Sequence, residues 1–143
     1  MRERGTTALF EADPSLEDGM SGEERPVVKQ ADATPRKNLE AGRDASLQVL
    51  VGPDDGAPHF AMRRFRMEQG GGIPLHTNDV EHEQYVLRGR ARMRVGERTH
   101  EVGPDDVLFI PAGVPHSYEV LEGPFEFLCM VPNAPDQIRF VRE

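Results

Sequence analysis

Tryptophan is absent from these 143 residues, cysteine occurs once and tyrosine twice. One thiol excludes an intrachain disulfide framework, so a reducing, cytoplasmic setting is the default expectation. Hydrophobic residues make up only 37% of the chain, so the core must be compact and some of the chain must lie outside it. Positive charge is in deficit: 17 Lys and Arg against 25 Asp and Glu leave a net charge of −8. That balance argues against nucleic acid or an anionic membrane surface as partner, because both repel it. No stretch approaches the length of a membrane span, and Met1-Arg2-Glu3-Arg4-Gly5 leads into no apolar secretory segment. No window sustains a long amphipathic helix, and no internal repeat is visible. The length suits one domain with one core.

What is present is a succession of short β-type runs separated by turn signals, the texture of an all-β sandwich or barrel. Residues 1–45 read instead as an N-terminal arm, rich in charge and poor in large apolar side chains, with Leu9-Phe10 and Pro26-Val27-Val28 as its docking elements. The arm is either a flexible or strap-like tail or a strand lent to a neighbouring subunit. The barrel is expected over 46–132. Leu47–Val51 stops at Gly52-Pro53-Asp54, and Phe60–Met67 stops at Gln69-Gly70-Gly71-Gly72. Alternation in that second run changes phase at Arg63-Arg64, which predicts a bulge. Ala91, Met93 and Val95 alternate with Arg90, Arg92 and Arg94, giving one apolar face and one face of three guanidiniums. Val107–Ile110 reads as a buried strand, and Phe125, Phe127, Cys129 and Val131 share one face of the next. A C-terminal tail over 133–143 packs Ile138, Phe140 and Val141 on the barrel.

Histidines carry the chemistry. His76 and Asn78, two apart, leave the same face of a strand. His82 returns to that face after a short turn, and His116 follows the bend Pro111-Ala112-Gly113-Val114-Pro115. Imidazoles delivered from separate segments to one barrel interior are what a transition-metal site requires.

These residues resemble the cupin superfamily. Its first motif, Gly-x5-His-x-His-x(3,4)-Glu-x6-Gly, falls on Gly70, His76, Asn78, His82 and Gly89. Its second, Gly-x5-Pro-x-Gly-x2-His-x3-Asn, falls on Asp105, Pro111, Gly113, His116 and Val120, and the likeness covers roughly 47–132. The pair His82-Glu83 resembles the subgroup with a His-x-His-x3-His-Glu motif and an all-histidine site, here with the second histidine replaced by Asn78. The resemblance implies a double-stranded β-helix, or jelly roll, with one divalent transition metal (Zn, Fe, Mn, Cu or Ni) in the barrel mouth. Its ligands would be His76, His82 and His116, with Asn78 a distant ligand or a partner of bound water. The duller reading is a cupin that has lost its metal and keeps its histidines as satisfied core or rim residues.

Other side chains divide the same way. Glu83 is an acid–base group or a partner orienting a histidine, or else a solvated strand residue. Tyr118 is a proton donor or mere packing. Cys129 is a soft fourth ligand or a redox-sensitive thiol, or a plain buried cysteine. Gln84, Val86, Phe65 and Met67 are candidate pocket walls. The Arg90, Arg92 and Arg94 row holds an anionic substrate or is a solvated outer face, and His59 and His100 take surface roles.

The leading functional expectation is a metal-dependent oxidoreductase of the dioxygenase kind, acting on a small and anionic substrate, with isomerase or lyase chemistry open to the same parts. The alternatives are a non-enzymatic ligand-binding or sensing cupin and a purely structural assembly unit. A homodimer is expected, because cupins commonly dimerise through barrel edges.

Overall fold

The computed structural model describes residues 25–142, so Leu9-Phe10 lies outside the described residues. Two 3-10 turns, Ala31–Ala33 and Pro53–Asp55, accompany eight strands. These are β1 (Lys37–Asn38), β2 (Arg43–Val51), β3 (Phe60–Thr77), β4 (His82–Val95), β5 (Arg98–Val102), β6 (Val107–Ile110), β7 (His116–Pro132) and β8 (Arg139–Phe140). They form one antiparallel sheet ordered β1-β2-β3-β7-β4-β5, with β6 added to β4 and β8 to β3. The architecture is the expected all-β jelly-roll barrel. Among the described residues, no helix is long and apolar enough to cross a membrane.

Three strands of 18, 14 and 17 residues carry the fold. Strands of that length must bend to close a barrel, and bulges supply the bend. Register shifts fall between Met67 and Gly72 and between Ile73 and His76 on β3, and between Val86 and Ala91 on β4. Gly89 sits in the β4 bend with φ +81°, and a Cβ there would lie 2.2 Å from the Pro124 carbonyl oxygen. Only glycine fits. Asp105, where the second motif has glycine, also takes a left-handed φ of 73°. Aspartate tolerates that region better than most residues, and its carboxylate accepts the Tyr85 hydroxyl at 2.7 Å.

Two expectations for β3 need correction. The strand does not stop at Gln69–Gly72 but bends there and runs on to Thr77, pairing Gly72 with Glu119 on the other half of β7. Nor is there a bulge at Arg63-Arg64: β3 keeps unbroken register with β7 from Phe60–Pro132 to Met67–Phe125. The irregularity lies on β2, between Val49 and Val51. Arg63 is therefore in phase with Phe65 and Met67 and points inward.

Segments on both sides of the barrel strands reach the mouth, where Leu39, Ala41, Asp136 and Ile138 line the cavity. Within the segment expected as an arm, β1 pairs with β2 of the same chain. Gln48 Nε2, itself buried, donates to the carbonyls of Ala31 (2.9 Å) and Thr34 (2.8 Å) and straps that segment down. At the other end β8 pairs with His76 and Thr77, and the Val141 N–H donates to the Leu75 carbonyl at 3.0 Å.

Candidate functional site

The strand ends deliver three imidazoles to one end of the barrel. His76 closes β3 and His116 opens β7, and the two are cross-strand partners with ring centroids 4.2 Å apart. His82 opens β4 after the turn at 78–81, and its ring lies 5.5 Å from that of His116. The turn before His116 is fixed by Gly113, at φ +82°, whose N–H donates to the Asn78 carbonyl at 2.9 Å. That bond ties the two histidine-bearing segments together.

Each ring is held at Nδ1. His76 Nδ1 lies 2.7 Å from the Pro74 carbonyl oxygen and His116 Nδ1 lies 3.0 Å from that of Val114. A carbonyl only accepts, so Nδ1 carries the proton in both and Nε2 keeps its lone pair. His82 Nδ1 is 3.6 Å from Cys129 Sγ. No Nε2 of the three has a protein hydrogen-bond partner among the described residues. Burial, with the Arg63 charge and His116 adding to it, pushes His82 down to about 3. Burial likewise takes His116 to about 4, against the opposing Val114 carbonyl, and lowers His76. All three rings are thus neutral near pH 7, the form that binds a metal.

Behind the rings lies a cavity of about 80 Å³. Its back wall is a stack of near-parallel rings: Phe65 on Phe127 at 5.0 Å and Tyr118 on Phe127 at 5.2 Å, both at 7°. Tyr118 is buried, and that burial pushes its phenol well above the usual range. Its oxygen accepts from Gln84 Nε2 at 2.7 Å. Cys129 takes hydrogen bonds from Arg63 Nη2 at 3.2 Å and Gln84 Nε2 at 3.6 Å, yet burial dominates and raises the thiol, which stays neutral. Arg63 lies against the Phe65 ring, Cζ 4.9 Å from its centroid. Arg63 Nε and Gln84 Oε1 are sealed from solvent and have no hydrogen-bond partner.

Of the side chains singled out in the sequence, His76, Asn78, His82, His116, Tyr118 and Cys129 are brought together around this cavity, with Phe65 and Gln84 in its walls. Val86 and Met67 are buried deeper in the core. Glu83 is not brought in. The strand pleat turns it to the outer face between Phe109 and Met130, and a hydrogen bond shared with Glu81 raises its carboxyl. The Arg90 and Arg92 guanidiniums lie outside the cavity, paired with Glu101 and Glu119. His59 and His100 are exposed. Sequence reasoning missed Arg63 and Asp136 as cavity residues, whereas Ile138, expected to pack on the barrel, lines the cavity with them. Asp136 holds Asn78 by accepting from its Nδ2 at 2.9 Å and also accepts the Asp79 N–H at 2.7 Å.

As they stand, no three His, Cys, Asp or Glu side chains among the described residues form a ready metal cage. The imidazoles are tilted 55° and 72° to one another, so their ring planes fan around the cavity. The donor set facing the cavity, three neutral imidazoles beside one amide, fits a divalent transition ion with open positions rather than a closed structural site.

The cupin domain family matches residues 63–131. A cupin 2 domain-containing protein from Halorhodospira halophila is 30% identical, with a TM-score of 0.63 over 67% of this chain and 68% of that one. The polyketide cyclase RemF from Streptomyces resistomycificus is 28% identical, with a TM-score of 0.74 over 83% of this chain and 89% of that one. A cupin-2 domain from Rhodospirillum rubrum, 24% identical with a TM-score of 0.71 over 84% of each chain, shares the fold. No curated protein sequence matches the chain.

Proposed function

Because the chain belongs to the cupin family, we propose that its barrel mouth is a metal-dependent small-molecule catalytic site of the oxidoreductase, dioxygenase-like kind. The observation that carries this reading is the meeting of three neutral imidazoles from three strands, two of them with Nδ1 held by backbone carbonyls. His76, His82 and His116 would hold one divalent ion, with Asn78 beside them. An ion on neutral ligands keeps its full charge and supplies Lewis acidity to an enolisable, oxygen-bearing substrate. The protein's own part is to orient and exclude water. The Pro74 and Val114 carbonyls fix the ring tautomers. The stacked aromatic wall excludes solvent, and Tyr118, kept as a phenol, offers a hydrogen bond rather than a base. Glu83, on the outer face, takes no part in the chemistry.

The likeness to a polyketide cyclase favours a second reading, ring closure without net oxidation in the same cavity. Metal analysis of the purified protein comes first, followed by oxygen uptake and product mass with 1,3-diketones, flavonols and enediols. Oxygen uptake with an oxygenated product supports the dioxygenase. Turnover without oxygen and without a mass gain supports the cyclase. Metal without turnover on any of these substrates leaves a ligand-binding or sensing cupin.

Asn78 offers a direct probe of ligation. Asn78→His is expected to tighten metal binding by about tenfold or more, because imidazole nitrogen is a better donor than an amide for these ions. Chelator competition measures it. No gain would mean that position 78 points away from the ion.

For the expected homodimer we propose an interface on exposed apolar side chains. Met62, Tyr85, Leu87, Val107 and Phe109 are exposed on the outer face of β3, β4 and β6. Met62 and Phe109 stand in one cross-strand row through Met130 and Glu83. Phe109→Glu is expected to convert a dimer to monomer in light-scattering measurements. A wild-type protein that is already monomeric refutes this interface.

A further inference from the structure

Arg63 is the group that the site's metal chemistry leaves unexplained. We infer that the cavity is built to take a small organic carboxylate, with the Arg63 guanidinium as its anchor. The inference rests on reading this cavity as the substrate site and not on the identity of the ion.

Arg63 occupies an inward position of β3, in phase with the buried Phe65 and Met67. The guanidinium there is half-buried, and its enclosed Nε has neither water nor a protein acceptor unless an anion joins it. No carboxylate among the described residues lies within ion-pair distance of it, whereas its neighbour Arg64 on the outer face pairs with Asp32 at 2.8 Å. The nearby Asp136 is spent on Asn78 and the Asp79 N–H. The guanidinium is nevertheless fixed: the Phe65 ring lies against its face and Cys129 Sγ accepts from Nη2. What remains is a donor edge with a buried Nε that bonds to nothing. A planar fork of N–H groups matches the paired oxygens of a carboxylate.

The rest of the cavity narrows the class. Its volume, about 80 Å³, suits a molecule of a few heavy atoms. The stacked face of Phe65, Phe127 and Tyr118 suits a flat carbon skeleton rather than a hydrated inorganic oxyanion. Gln84 adds a second polar end without a partner, placed for an oxygen function elsewhere on the same acid.

The test uses acetate, lactate and pyruvate as probes, acetamide and lactamide as neutral isosteres, and inorganic phosphate, on metal-loaded and chelator-treated full-length protein. Thermal unfolding is expected to shift upward with the carboxylates in both forms and with none of the amides. Arg63→Met is expected to melt no lower than the ligand-free wild type, because a half-buried guanidinium without a carboxylate partner has gone, and to lose the carboxylate shift. Its Kd for carboxylate by calorimetry should rise about tenfold or more. Arg63→Lys, which keeps charge without the fork, should bind several-fold more weakly than wild type, and it decides the matter if the methionine variant fails to fold. No response to any carboxylate, equal response to the amides or phosphate, or carboxylate binding indifferent to residue 63 overturns the inference. Metal content measured alongside separates the two readings. A metal-free protein with Arg63-dependent carboxylate binding sinks the metal reading alone, and a metal-loaded protein indifferent to Arg63 sinks this one alone.

Discussion

If the three imidazoles hold an ion as proposed, His116→Ala is expected to leave the purified protein without metal. The ring is the middle one of the three, in contact with both others, and only 2% exposed. Its removal leaves two imidazoles on opposite sides of a gap and an amide that donates weakly. Changes to groups that merely orient ligands typically weaken metal binding by 10–100-fold, so loss of a ligand should exceed about 100-fold. The truncation also leaves a void and unpairs the Val114 carbonyl, a destabilisation of roughly 2 kcal/mol. His82→Ala, whose ring has no backbone anchor, should lose metal with less disturbance of the fold. Elemental analysis after gel filtration measures both, with circular dichroism as the control for folding. Close to one ion per chain retained in either folded variant would remove that histidine from the ligand set.

Acid should unfold the metal-free protein well above the pH at which carboxylates alone would do so. Burial holds His82 at about 3 and His116 at about 4 in the folded chain, against an ordinary value of 6.5 when unfolded. Between those limits the unfolded chain binds protons that the folded chain refuses. Stability therefore falls as pH falls, is complete above 6.5, and stops falling only near the folded values. Each ring contributes up to about 1.4 kcal/mol per pH unit across its window. Two rings over two units lose about 5 kcal/mol, comparable with the whole stability of a small domain. Urea midpoints in chelator, taken from pH 7.5 down to 4.5, should decline steeply below 6.5. The His82→Gln variant should decline less steeply. A flat profile from pH 7.5 to 5 would show that the rings protonate freely in the folded state and are not enclosed as described.

Much of this arrangement was legible in the sequence wherever the cause is local. Alternation marked Phe125, Phe127, Cys129 and Val131 as one buried face, and the strand pleat makes them so. The Pro-Gly bend before His116 announced its turn. Elsewhere the deciding interactions are non-local. Arg63 breaks the apolar pattern that reveals an inward face, so a straight strand reads as one that changes phase. Gly70-Gly71-Gly72 resembles a stop, yet the strand bends and pairs onward because the other half of β7 lies beside it. Asp136 and Ile138 sit in a tail whose sequence gives no sign that it meets residues 76–79. Glu83 suggested a role through adjacency to His82, but adjacent residues on a strand face opposite ways.

The enclosed Tyr118 has a practical consequence. The chain has no tryptophan and two tyrosines, so its near-ultraviolet emission comes from Tyr118 and Tyr85 alone. Tyr85 is an outer-face residue bound to Asp105, a steady background. Tyr118 sits with its ring centroid 5.9 Å from that of His116, at the edge of the cavity. An occupant that quenches or shields that phenol would report itself in the native protein, without a dye or an introduced label.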